Sequence, residues 1–308
     1  MISMRQHAIS LIAVFLALAV GLFLGSGFIG DQLNSLTGTD RNKLSKLQDE
    51  RDDLSRRVNQ DGAFIGAVSP RLVDGLLKGK SVLVVTAPDA GEADVQELKG
   101  LLNDAGAGYS GQIALTDTLV KDGDAAKLSS IIDQTIPTGQ QLRVEYTDSG
   151  SRLGDLLGTA LLTREGQKAA GAADRSTVLQ SLRTGGFIDY ADRTVEPADL
   201  LLVVTGGSLG DDAGAQGMLV GRLAVAMATH ARGGVLAGRD GSAQGGAAIA
   251  AVRGDTALGN ALSTVDDVQD QIGRTTVVLA LDEEANGRSG AYGTGPGATA
   301  ITVGAEQK

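Results

Sequence analysis

Cysteine and tryptophan are absent from this chain of 308 residues, and histidine occurs only twice. Without cysteine there is no disulfide framework and no thiolate metal site. His7 and His230 are the two imidazoles, and no G-x-S-x-G turn is present, so a Ser-His-Asp hydrolase is not expected. Clustered lysine and arginine are missing too. The balance of 27 bases against 37 acids gives a net charge of −10, which argues against nucleic acid as a partner, because phosphate binding needs basic clusters. Aromatic residues are 3% of the chain. Paired carboxylates could in principle cleave glycans, but a sugar cleft wants aromatic platforms, and after the first 30 residues only Phe64, Phe187 and four tyrosines remain. The expectation is a non-catalytic protein.

What is present begins with an apolar run. From Ala8 to Ile29 there is no charged residue, which meets the about 20 residues a membrane-spanning helix needs. It exceeds the about 7–15 apolar residues of a secretory signal. Gly25-Ser26-Gly27 is small enough to be cleaved, but it precedes Phe28 and Ile29 and so sits inside the run. The run therefore reads as a retained anchor, with Leu11, Phe15, Leu18, Leu22 and Gly25 on the span. Arg5 before it and Asp31 after it predict a cytoplasmic amino terminus and an extracytoplasmic body in the inner membrane, although Arg41 and Lys43 lie within the same charge window. Gly21 and Gly25 have the spacing of close helix contacts. Glycine is also simply common in spans, which is the plainer reading.

A charged segment follows, mostly free of Gly and Pro. Leu33, Thr37, Asp40, Leu44, Leu47, Arg51, Leu54, Val58, Asp61 and Ile65 fall at alternating spacings of three and four, an imperfect heptad pattern. It predicts a parallel dimer stalk about 45–50 Å long at about 1.5 Å per residue, with Leu33, Leu44, Leu47, Leu54, Val58 and Ile65 as its apolar seam. The competing reading is an amphipathic helix lying on its own body. Asp61-Gly62 and Gly66 weaken its end. Ser69-Pro70 then reads as a cap and first residue of a new short helix, RLVDGLLKG, ending at Gly79.

From Ser81 the pattern changes to short apolar runs: 81–86, 111–116, 199–205, 233–238 and TTVVLAL at 275–281. They are continuous rather than alternating, as in strands covered on both faces. Helix-like segments at 91–105, 124–134, 152–163, 175–184, 215–231 and 244–252 lie between them. The expectation is an α/β fold: an N-terminal transmembrane helix, a short coiled-coil stalk, then a mostly parallel, doubly wound sheet of Rossmann or flavodoxin type. The domains are 1–30, 31–68 and 69–308, with 135–198 as a possible insertion or subdomain carrying an extra strand at Phe187–Tyr190. The stretch ATAITVG near the end reads as a last edge strand.

In such sheets ligands bind beyond the carboxyl ends of the strands. The segments there are APDAGEAD, Asp117, Gly206-Gly207-Ser208-Leu209-Gly210-Asp211-Asp212, Arg239-Asp240-Gly241 and Asp282-Glu283-Glu284. TGGSLG lacks both the G-x-G-x-x-G and the Walker spacing, and reads as a tight strand-to-helix turn. The acids could hold Mg²⁺ or Ca²⁺, or simply cap helix starts.

The opening MISMRQHAISLIAVFLALAVGLFLGSGFIGD, the charged coil and a Gly-rich body beginning KSVLVVTAPDA together resemble one actinobacterial family, that of mycobacterial copper transport protein B. The resemblance covers nearly the whole chain. It implies copper transport or homeostasis, in some accounts as a pore. A related branch implies a role in cell separation, with a membrane partner contacting the span and control of a peptidoglycan hydrolase. Copper(I) takes thiolate, thioether or imidazole ligands. The body offers Met218, Met227 and His230, the last two at i, i+3 on one helix face. Core methionines beside a helix-end histidine are the plainer account of these three. No cofactor other than copper is suggested. A β-barrel pore is not expected, since barrel strands alternate over about ten residues and carry aromatic girdles.

Overall fold

A computed structural model describes residues 14–18, 28–120, 124–210 and 213–305. The chain divides into two compact units, Met1–Asp61 and Gly62–Lys308. Most of the predicted anchor, including Leu11, Leu22 and Gly25, lies outside the described residues. Residues 14–18 are helical, with Phe15 and Leu18 exposed. Among the described residues no helix is long and apolar enough to cross a membrane.

Helix α1 spans Phe28–Val73. In the first unit, Leu47, Leu54 and Val58 are 61%, 62% and 63% exposed. They form an apolar stripe open to solvent, with Leu33 and Leu44 on the same helix. The predicted break at Ser69-Pro70 does not occur, because α1 continues through it. Instead of capping a new helix, the Ser69 hydroxyl donates to the Ile65 carbonyl at 2.7 Å and meets the Thr275 hydroxyl at 2.7 Å. Pro70 falls in the last turn, where its missing N–H removes one i→i−4 bond, that to Gly66, close to the helix end. The predicted helix RLVDGLLKG is therefore the end of α1 followed by turns to Gly79, with Gly75 and Gly79 at positive φ. Ile65 is half-buried, and Val73 is fully buried in the body.

The body is a seven-stranded sheet, β1 (Ser81–Thr86), β2 (Gly108–Leu115), β3 (Ile188–Asp189), β4 (Leu200–Val204), β5 (Gly233–Ala237), β6 (Ser263–Val265) and β7 (Ala291–Tyr292). Its order is β3-β2-β1-β4-β5-β6-β7. All neighbours are parallel except β2 and β3. Up to β6 this is the doubly wound arrangement, with the order reversing between β1 and β4. The continuous apolar runs have their expected cause. In β1, Leu83 and Val85 enter one core while Val82 and Val84 enter the other.

One core lies under α3 (Asp117–Val120), α4 (Ala125–Gln134), α5 (Ser149–Leu161), α6 (Ala172–Gly185), α7 (Gln216–Ala228) and α8 (Ala248–Arg253). Helix α9 (Thr256–Gly259) follows α8. The second core lies under the end of α1, α2 (Glu92–Asp104) and α10 (Gln271–Ala285). Residues 135–198 thus supply α5, α6 and β3 to the same body.

The run TTVVLAL at 275–281 is not a strand. It lies inside α10, whose Val277, Val278 and Leu281 are fully buried. Its β-branched residues favour a strand locally, but from Gln271 to Ala285 nothing breaks a helix except Gly273, and burial overrides the propensity. The strands in that region are β6 and β7, three and two residues long, too short to stand out as apolar runs. ATAITVG forms no strand of its own. Ala300 makes a single parallel bridge to Tyr292.

Helices α5 and α7 touch through their backbones. A Cβ added to Gly150 would lie 2.5 Å from the Leu219 carbonyl oxygen, and one added to Gly154 would lie 2.4 Å from that of Leu223. Gly154→Val should therefore lower stability by about 3 kcal/mol, the upper end of overpacking costs. Denaturant unfolding of the variant against the parent measures it, and an unchanged midpoint would refute the close contact.

Candidate functional site

Four strand ends and the loops behind them make the carboxyl edge of the sheet, where a doubly wound fold places its ligands. Asp89, Asp94 and Asp266 there are engaged with the protein itself. The Thr205 hydroxyl donates to Asp89 at 3.2 Å, tying the loop after β4 to the loop after β1. Asp94, 3% exposed, receives Arg239 Nε at 2.6 Å and Arg274 Nη1 at 3.5 Å. Arg274 also donates to the carbonyls of Val268 and Gln269. One buried carboxylate thus joins α2, the loop after β5 and α10. Arg253 and Asp266 form a buried pair at 2.5 Å, and Asp266 accepts the N–H groups of Thr294 and Gly295.

The stretch TGGSLG forms a packed turn. A Cβ on Gly206 would lie 2.5 Å from the Asp89 carbonyl oxygen, and one on Gly207 equally close to that of Asp240. Asp211 and Asp212 lie outside the described residues. Asp282, Glu283 and Glu284 follow no strand, since they end α10. Buried Glu284 accepts the Ser263 hydroxyl at 2.7 Å, and burial raises its pKa. Among the described residues no group of three or more His, Asp or Glu side chains is placed to hold a metal ion.

The three copper candidates have separate environments. Met227 is fully buried in the core, and Met218 is 37% exposed. Nine residues separate them on α7, about 13 Å along the axis. His230 follows the helix end, with both ring nitrogens bonded. Nε2 meets Asp155 Oδ1 at 2.6 Å, and Nδ1 meets the Gln167 amide nitrogen at 2.9 Å. The neutral ring that suits these partners carries its proton on Nε2 and accepts from Gln167 at Nδ1. Asp155, 1% exposed, also accepts the Arg143 backbone N–H at 2.7 Å. The ring fits because position 158 is glycine, where a Cβ would lie 2.6 Å from His230 Cδ2. Copper would have to displace one of these bonds to reach an imidazole nitrogen.

The sequence reading missed Asp155, Gln167 and Arg274, and held Asp94 only as one acid of APDAGEAD, without its arginine partners. None has a local signature, because the side-chain contacts that join them, to His230 and between Asp94 and Arg274, span 63 to 180 residues of the chain. It also missed Gly150, Gly154 and Gly158, whose regular spacing of four was a visible signal. A cleft of 780 Å³ opens near the first turns of α5 and α7, bordered by Asp148, Met218 and Arg222.

Asp267 is buried beside this polar edge, and its Oδ1 has no hydrogen-bond partner among the described residues. Burial, with Asp266 and Asp270 nearby, pushes its pKa up to about 6. The folded state therefore holds this proton longer than the unfolded state does. Stability should fall as pH rises from about 4 to about 6, by on the order of 3 kcal/mol at most. Asp267→Asn should flatten that fall, as read by denaturant midpoints across the range. A pH profile identical to the parent's would contradict the assignment.

Comparison with known proteins supports the resemblance in the sequence. The family model described as "Copper transport outer membrane protein, MctB" matches residues 1–303. A protein of Mycobacterium tuberculosis (strain ATCC 25618 / H37Rv) named "Copper transporter MctB" is 44% identical over 312 residues, covering 98% of this chain and 99% of its own. Its namesake in Mycobacterium leprae (strain TN) is 44% identical over 325 residues, with the same coverage of each. A match at this identity over nearly the full length of both chains leaves one conclusion: the chain belongs to the MctB family.

Proposed function

We propose that the chain is a non-catalytic scaffold of the cell envelope. Residues 8–29 anchor it in the inner membrane with the amino terminus cytoplasmic, α1 pairs with α1 of a second copy in parallel, and the α/β body faces the envelope space. The span contacts a membrane partner, and the assembly acts on envelope processes such as cell separation, with a peptidoglycan hydrolase as a further partner.

The exposed stripe of Leu47, Leu54 and Val58 carries the pairing. These residues recur on one helix face at coiled-coil spacing, and leaving them in water forgoes the burial that stabilises long helices. Arg51 falls on the same seam next to Glu50. In a parallel pair, Arg51 of each copy meets the other copy's Glu50, so the polar seam position is satisfied by the pairing itself.

The absence of cysteine makes a clean test possible. Leu54→Cys in the full chain, oxidised mildly in membranes, should give a covalent dimer on non-reducing gels. Tyr109→Cys, exposed on the body, should not. A Leu54→Cys chain that stays monomeric overturns the pairing.

The relatives' names favour a second reading, copper transport or homeostasis. Direct binding through α7 would need Met227 and His230. A copper(I) competition titration of the full chain should then show stoichiometric binding that is lost in Met227→Leu/His230→Ala. Absent or unaltered binding would remove α7 from any copper role.

A further inference from the structure

The cleft beside α5 and α7 has no part in the scaffold reading. Its 780 Å³ falls within the about 300–1,000 Å³ typical of small-molecule sites. Among the described residues, Val120 reaches it from α3, just past β2, and Leu209 from the loop after β4. Asp148 is the N-cap of α5, and Met218, Leu219 and Arg222 belong to α7. The cleft therefore sits where the loops leaving β2 and β4 meet, on either side of β1 in the sheet. That is the carboxyl edge of the sheet, the side on which a doubly wound fold binds ligands, one strand away from the switch point between β1 and β4.

Two features give this cleft a chemistry. The first is an apolar lining of Val120, Leu209, Met218 and Leu219. The second is Arg222, 40% exposed, whose contact with Asp148 Oδ2 is 3.4 Å long. A charge-assisted bond is normally about 2.7–2.9 Å. Asp148 does not depend on that contact, since it accepts the Ser151 N–H at 2.9 Å and the Ser151 hydroxyl at 2.7 Å. Arg253 differs, donating to Thr264, Asp266, Pro296 and Tyr292. The Arg222 guanidinium keeps donors in a planar fork, the geometry that matches a carboxylate.

We propose that this cleft binds an apolar α-carboxylate, the chemistry shared by a hydrophobic amino acid and the carboxyl terminus of a short peptide. Arg222 takes the carboxylate, and Met218 with Leu209, Leu219 and Val120 receives the side chain. The site is independent of pairing through α1.

The four methionines supply the readout, with Met218 on the cleft and Met227 in the core. In full-length chain labelled with ¹³C at the methionine methyls, N-acetyl-leucine should shift the Met218 resonance saturably at millimolar concentration. Met227 should stay in place. N-acetyl-leucinamide, which lacks the charge, should bind at least tenfold more weakly. Free leucine in parallel separates the two sources: a stronger response than to N-acetyl-leucine assigns the free amino acid, and a weaker one the peptide end. Arg222→Gln should erase the preference for acid over amide, with an unmoved Met227 resonance reporting an intact fold. Equal binding of acid and amide by the parent chain, or a Met218 resonance that none of the three compounds moves, overturns the proposal.

Discussion

The body depends on how closely α7 is approached by its neighbours. Gly150 and Gly154 let α5 come within contact of the Leu219 and Leu223 carbonyls, and Gly217 and Gly221 do the same for α7 against α8. Three helices are thereby held at backbone distance over one face of the sheet, closer than helices separated by larger side chains. Two things follow. At the helix ends near His230, Asp155 is brought to 2.6 Å from the imidazole. Asp148, the N-cap of α5, and Arg222, midway along α7, line one cleft. A single methyl at Gly154 would disturb both.

Away from these close helix contacts, polar pairs add to the apolar packing of both faces. The Ser69 hydroxyl meets that of Thr275 and so attaches the end of α1 to α10. Asp94 links α2, the loop after β5 and α10 through two arginines. Arg253 and Asp266 are 6% and 3% exposed, and carbonyls, a hydroxyl and backbone N–H groups satisfy their remaining valences. Breaking such a pair leaves an uncompensated buried charge, which is costly. This explains why an acidic edge in the position of an active site can be architecture. Its carboxylates close the loops onto the sheet.

Membership of the MctB family and the scaffold reading concern different levels. The family match covers the chain from residue 1 to residue 303, whereas the physical case for a scaffold rests on one exposed stripe of α1. A copper role through α7 would compete with bonds that already occupy both nitrogens of His230. In the cleft, Arg222 is held by an ion pair of 3.4 Å to Asp148.

The strand–helix alternation and the two-faced burial of the sheet were legible from Ser81 onward, because a strand buried on both sides must be apolar at every position. So was the helix after residue 31, from its spacing. Short or context-dependent elements were not legible. β6 and β7 are too brief to form an apolar run. The run 275–281 has the composition of a strand, and only its place against the second core makes it helix. Ser69-Pro70 has the pattern of a helix start, but the Thr275 hydroxyl gives Ser69 another partner. Met227 and His230 were expected on one helix face, but α7 ends at Ala228 and His230 lies beyond it, and nothing local indicated that Asp155 and Gln167 would take both ring nitrogens. The sequence by itself determined the family, the charge, the exclusion of thiolate chemistry and the layout of helix followed by α/β body, because these depend on composition and local periodicity. Only the tertiary structure decided which acids are engaged, what the two nitrogens of His230 bond and where a cleft remains, because each is set by side chains far apart in the chain.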